Sequence, residues 1–157
     1  MTMRQICTFR VDGMSLGLDV EYVQEVLRHQ EMTEVPLAPA AVKGLINLRG
    51  QIVTALDMRR RFELPPDASG EPPMNVIMQT GGSLVSLLVD SIGEVESVND
   101  DWYEPVPETL DPSTKSMVRY VCKLADKLLL ILEPRGVLEG VARSSDAAGG
   151  ARDSHAN

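Results

Sequence analysis

The stretch Val35-Pro36-Leu37-Ala38-Pro39-Ala40-Ala41-Val42-Lys43-Gly44-Leu45-Ile46-Asn47-Leu48-Arg49-Gly50-Gln51-Ile52-Val53-Thr54-Ala55-Leu56 decides how the rest of the chain is read. Pro36 and Pro39 bracket a segment in which a helix is disfavoured, because proline lacks an amide hydrogen and pushes its predecessor towards extended backbone. Val42 to Leu48 and Gln51 to Leu56 are then two strand-length apolar runs joined through Arg49-Gly50, which predicts a β-hairpin.

The same grammar extends outward. In Gln5 to Val11, Cys7, Phe9 and Val11 fall on one face and Thr8 and Arg10 on the other, the period of a strand. Asp12-Gly13 supplies turn chemistry, and Leu16, Leu18 and Val20 then alternate with Ser15, Gly17 and Asp19, completing a hairpin. From Val20 the period changes, and Val20, Val23, Val26 and Leu27 fit a short helical turn. Downstream, Pro65-Pro66, Gly70 and Pro72-Pro73 read as an internal linker, after which Met74, Val76 and Met78 resume the alternation.

The second half of the chain repeats the first. A shift of 69 lays Gly13–Val26 on Gly82–Val95 and matches Leu18 with Leu87, Val20 with Val89 and Glu25 with Glu94. A shift of 76 lays Val42–Phe62 on Val118–Leu138 and matches Leu48 with Leu124, Leu56 with Leu132 and Arg59 with Arg135. This predicts two similar small β subdomains within residues 1–140, with halves at about 1–66 and 74–140 and a connectivity free to interleave. The run Leu128 to Leu132 has no polar face, so it is expected to be a strand buried on both sides. From Arg143 to Asn157 no aliphatic residue exceeds Ala in size, and residues 141–157 are expected to be a disordered tail.

Composition limits what such a domain can do. The 157 residues include 15 Lys+Arg and 23 Asp+Glu, a net charge of −8, so the basic footprint of a nucleic-acid or anionic-membrane binder is absent. The one basic run, Arg59-Arg60-Arg61, reads as a solvated helix end. Cys7 and Cys122 are the only cysteines and read as buried, reduced thiols of a cytoplasmic protein. No apolar run approaches the ~20 residues of a membrane helix, so no membrane insertion is expected. His29 and His155 have no companion ligands nearby, which argues against a metal site, and no glycine-rich phosphate cradle occurs, so no cofactor is expected. Asp57 and Asp90 could form a carboxylate pair, but each closes a strand at an expected capping position. The chain carries no catalytic constellation and is read as no enzyme; its function lies in its surfaces.

One surface stands out from the repeat itself. Arg49 faces Ala125, Asn47 faces Lys123 and Gly44 faces Tyr120, so divergence between the copies gathers around one turn. That turn also carries a resemblance. Val35 to Gly50, with Val23-Gln24-Glu25-Val26 upstream and Leu56-Asp57-Met58-Arg59 downstream, resembles the CheW family of chemotaxis coupling proteins. Leu88 to Val95 and Leu128 to Glu133 are similar to the family's later segments, and the similarity spans about residues 5–138. Thr54-Ala55 stand where the family usually has Pro-Val, and Tyr120 stands where it has glycine.

The resemblance implies a mostly β fold of two SH3-like five-stranded barrels sharing an apolar core. It implies a non-catalytic adaptor that links methyl-accepting receptors to the regulatory domain of a CheA-type histidine kinase. One barrel edge would meet the kinase, and the groove between barrels would take the tip of the receptor's helical hairpin. The partner-binding residues it implies are Val23, Glu25, Val26, Val35, Pro36, Gly44, Asn47, Arg49 and Gly50, with Glu25 as the partner of Arg49. Two other readings stay open: an adaptor of the same fold in a non-motility pathway, and a small hydrolase or nucleotide-binding domain using Asp57 or Asp90.

Overall fold

The structure is a computed structural model, and it describes residues 2–139. The tail expected at 141–157 lies outside the described residues. Among the described residues there are eleven strands: β1 (Met3–Val11), β2 (Met14–Asp19), β3 (Val23–Leu27), β4 (Val42–Leu48), β5 (Gln51–Asp57), β6 (Met74–Thr80), β7 (Ser83–Val89), β8 (Ser91–Asn99), β9 (Tyr103–Glu104), β10 (Val118–Lys123) and β11 (Leu128–Leu132). Two one-turn helices, α1 (Met58–Arg61) and α2 (Pro112–Lys115), interrupt them.

The strands form two sheets, ordered β8-β1-β2-β11-β10-β9 and β3-β6-β7-β5-β4. Replacing each strand of the second sheet by its sequence repeat turns that order into β8-β1-β2-β11-β10. The repeat is therefore structural, and it interlocks. The third strand of each copy crosses to the other sheet: β3 pairs with β6, and β8 pairs with β1. Neither half of the chain builds a sheet alone. The ladders leave both sheets open at their outer strands, as sheets of six and five.

Burial follows this arrangement. The largest cluster joins both sheets: Phe9, Leu16, Leu18 and Leu130 from one meet Leu56, Val76, Met78 and Leu87 from the other. Each sheet also wraps a smaller core on its far face, built on Ile6, Val98, Cys122, Leu129 and Ile131 in one, and on Ile46, Leu48, Val53 and Ile77 in the other. β11 runs parallel to β2 inside its sheet, so Leu129 to Leu132 are buried from two sides, whereas Leu128 at its mouth is 47% exposed.

Three readings of the sequence are corrected. The helical turn expected from Val20 stops at Tyr22, and Val23–Leu27 is a strand. A β-bulge between Val23 and Glu25 breaks the alternation and leaves valines three apart. Asp90, at an expected capping position, likewise caps no helix: strand β8 follows it, with the matching bulge facing Cys7 and Phe9. Finally, of Arg59-Arg60-Arg61 only Arg60 is exposed, and all three are engaged. Arg60 donates to the Ala40 carbonyl (3.1 Å), Arg61 to the Gly136 and Val137 carbonyls (2.9 and 3.2 Å), and Arg59 to Asp90.

Candidate partner-binding site

The β4–β5 hairpin turns through two residues with left-handed backbone, Arg49 at φ 50° and Gly50 at φ 88°. This is the turn whose twist matches paired strands, and it favours Asn or Asp followed by Gly. The side chain of Asn47 reinforces it, its Oδ1 accepting from the Gly50 amide at 2.8 Å. Arginine gains nothing from this backbone, yet it is the residue that must adopt it. Its guanidinium extends from the tip, largely exposed, and donates to the Glu25 carboxylate on β3. That hydrogen bond holds the Glu25 carboxyl below its usual range and raises the Arg49 guanidinium correspondingly.

The pair is more than local. β3 and β4 lie at opposite edges of their sheet, so Arg49 and Glu25 draw its two margins together. Further along, Thr33 and Leu45 exchange backbone hydrogen bonds of 2.9 and 2.8 Å and bring the chain after β3 against β4. The other sheet has its own clasp, Lys127 to Glu96 at 3.7 Å, between its hairpin and edge strand β8. Closure by an ion pair therefore recurs. What does not recur is an exposed arginine in left-handed backbone, because Ala125 and Asp126 have no positive φ.

The other sequence-derived positions divide by exposure. Asn47 and Pro36 are exposed, and Val23, Val26 and Val35 are half-buried. Gly44 is buried, and a Cβ there would lie 2.7 Å from the Thr33 carbonyl oxygen, so its glycine serves the closure of the sheet. Val35 and Pro36 sit at the far end of β4 from Arg49. Two exposed apolar side chains escaped the sequence reading: Ile52 (62% exposed), paired across the ladder with Asn47, and Leu37 (97% exposed). Alternation alone marks Ile52, since Val53 and Ala55 take the inward positions.

The carboxylates considered for catalysis are engaged. Asp57 caps α1, its Oδ1 accepting from the amides of Arg59 (3.0 Å) and Arg60 (3.4 Å). Asp90 accepts from Arg59 through both oxygens and from the Asp12 amide at 2.7 Å. Both line a cavity of about 240 Å³, but Arg59 lines it too, with Asp90 bound in a bidentate grip. Among the described residues no group of His, Cys, Asp and Glu is placed to hold a metal.

A two-sheet β domain with its carboxylates committed to structure and a charged hairpin held outward is an interaction module. The CheW-like domain family matches residues 5–142, and the chain belongs to that family. Among curated relatives, the chemotaxis protein CheW of Bacillus subtilis is 27% identical over 138 residues, covering 88% of each chain. The CheW of Rhizobium meliloti is 26% identical over 145 residues, covering 90% of this chain and 92% of that one. The scaffolding protein TtCheW of Thermoanaerobacter tengcongensis superposes with a TM-score of 0.76 at 28% identity, over 84% of this chain and 90% of its own.

Proposed function

We propose that the protein is a non-catalytic signalling adaptor that couples methyl-accepting chemoreceptors to a CheA-type histidine kinase. Family membership over nearly the whole described chain supports the adaptor role. The observation that carries the site is Arg49: left-handed backbone, an exposed guanidinium, and no equivalent in the repeated copy. A guanidinium offers five donors in a fixed fork, and Glu25 occupies only part of it, so carboxylates or carbonyls of a partner can complete the set. The kinase's regulatory domain meets the edge formed by β3, β4 and the Arg49 hairpin. The receptor's helical hairpin lies in the surface groove where the two sheets meet, outside their shared core, and apolar contacts there read one face of a helix. Signalling is then a change in the relative geometry of bound partners.

No helix among the described residues is long and apolar enough to cross a membrane. In the adaptor reading the protein works in the cytoplasm, and its partners bring it to receptor arrays. Co-purification of the protein with a CheA-type kinase and with a receptor signalling fragment, using unsubstituted protein and Arg49→Ala, tests the assignment. The unsubstituted protein is expected to retain both partners, and Arg49→Ala to keep its melting profile while losing partner. Failure of the unsubstituted protein to retain either partner overturns the proposal.

A further inference from the structure

The most anomalous residue of the described chain is Leu37. The Ala38 amide donates to the Val35 carbonyl at 3.3 Å, closing a turn with Pro36 and Leu37 at its centre. Proline at the first central position followed by φ 62° at Leu37 makes this a type II turn. The second central position of that turn belongs to glycine or asparagine, and a bulky residue with positive φ is an outlier. Leu37 is also 97% exposed. Backbone strain and an apolar side chain in water are two separate costs at one position, and no packing within the molecule repays either. A sequence that breaks local rules without internal compensation does so at functional positions.

The surroundings indicate what would repay them. Leu37 forms one wall of a ledge of about 380 Å³, with Val35, Pro36 and Pro39 as its apolar lining and Glu34, Lys43 and Arg60 as its charged residues. Every lining residue comes from positions 34–43 or from α1, and none from the other sheet. A helical hairpin seated in the groove where the sheets meet would not reach it. The ledge does border β4, whose other end carries Arg49. Seven strand residues span roughly 20 Å, and a standard interface of about 800 Å² per partner is roughly 30 Å across. One partner can therefore cover both ends of β4.

We infer that Leu37 is the apolar anchor with which this edge engages the regulatory domain of the CheA-type kinase, in one footprint with Arg49 at the other end of β4. The inference rests on the adaptor reading above. The test compares unsubstituted protein, Leu37→Gly, Leu37→Asn and Arg49→Ala by melting temperature and by affinity for the purified kinase regulatory domain and for a receptor signalling fragment. Both Leu37 variants suit left-handed backbone, so melting temperature should rise by a few degrees. Affinity for the kinase domain should fall by about tenfold or more, the scale of an interface anchor, with receptor affinity unchanged. Kinase affinity unchanged in both Leu37 variants, with loss in Arg49→Ala, overturns the anchor and leaves the adaptor reading standing. Absence of kinase binding by the unsubstituted protein overturns both.

Discussion

Arg59 grips Asp90 through both oxygens, Nε to Oδ1 at 2.9 Å and Nη2 to Oδ2 at 2.7 Å. Asp90 stands where the chain leaves β7 in one sheet and enters β8 in the other. It also accepts from the Asp12 amide at the β1–β2 turn (2.7 Å), and its own amide donates to the Arg10 carbonyl (2.9 Å). The strand exchange between the sheets is thus fastened at its crossing point. Arg59 further donates to the Pro65 carbonyl at 2.9 Å, which ties the proline-rich linker to the same knot.

This fastening predicts a pH dependence. The Arg59 hydrogen bonds, and then the Asp12 amide, hold the Asp90 carboxyl below its usual range against the opposing effect of burial. A carboxylate with a depressed folded-state pKa contributes stability above its unfolded value of about 3.9, and that contribution is lost as pH falls through the folded value. Asp90→Asn should cost about 2 kcal/mol at pH 7, the scale of hydrogen bonds to a charged group. The difference from the unsubstituted protein should shrink steadily below about pH 4. Urea unfolding of both proteins at pH 7, 5 and 3 measures it, and a gap that stays constant with pH would refute the ionic origin.

The hairpins of this fold could be read from the sequence because their turns announce themselves: Asp12-Gly13, Arg49-Gly50 and Gly81-Gly82 all adopt positive φ. The repeat was equally legible, and even its irregularities recur. Bulges fall between Val42 and Gly44 and, 76 residues later, between Val118 and Tyr120. What could not be read was which sheet the third strand of each copy would join. Its bulge turns the strand period into spacings of three, as in Val23 and Val26 or Ile92 and Val95, and these imitate a helix. Pairing partners are also non-local, and nothing in Val23 to Leu27 distinguishes β6 from β1 as a neighbour. Arg49 was legible from the divergence of the copies and the family resemblance, and Glu25, which the repeat keeps as Glu94, from the resemblance alone. Leu37 was not, because its anomaly lies in its φ and exposure rather than its identity.

Gly44 links fold to site in a way that complicates any binding assay. A methyl group at this position meets the Thr33 carbonyl oxygen at 2.7 Å, a backbone atom that cannot swing aside. Gly44→Ala should therefore push the Thr33 segment off β4, at about 1–3 kcal/mol for an overpacked site. Loss of partner binding in this variant should accompany a lower melting temperature, whereas Arg49→Ala should lose binding without it. A Gly44→Ala protein that melts normally yet fails to bind would make position 44 a direct contact instead.

The relief of strain at the hairpin tip is separable from binding. Asparagine favours the left-handed backbone that Arg49 adopts and is the usual first residue of this turn. Arg49→Asn should match or exceed the melting temperature of Arg49→Ala, because alanine keeps the strain and both variants lose the exposed ion pair to Glu25. Both should bind partner equally poorly, about tenfold or more below the unsubstituted protein. Binding by Arg49→Asn at full strength would show that the turn, and not the guanidinium, is what the partner recognises.

The two ends of β11 offer the sharpest test of the shared core. Leu130 is 7% exposed and packs in the cluster that joins both sheets, while Leu128, two residues earlier in the same strand, is 47% exposed. An aspartate at 130 would be an unpaired charge among apolar side chains, costing several kcal/mol against a total stability of about 5–15 kcal/mol. Leu130→Asp should therefore express insolubly or unfold at room temperature. Leu128→Asp carries the same change of sequence at an open strand mouth and should stay within about 0.5 kcal/mol of the unsubstituted protein. Urea denaturation followed by circular dichroism compares them. A soluble Leu130→Asp protein with a native unfolding curve would mean that the two sheets do not depend on their common core. Damage of equal size from both substitutions would place Leu128 inside as well.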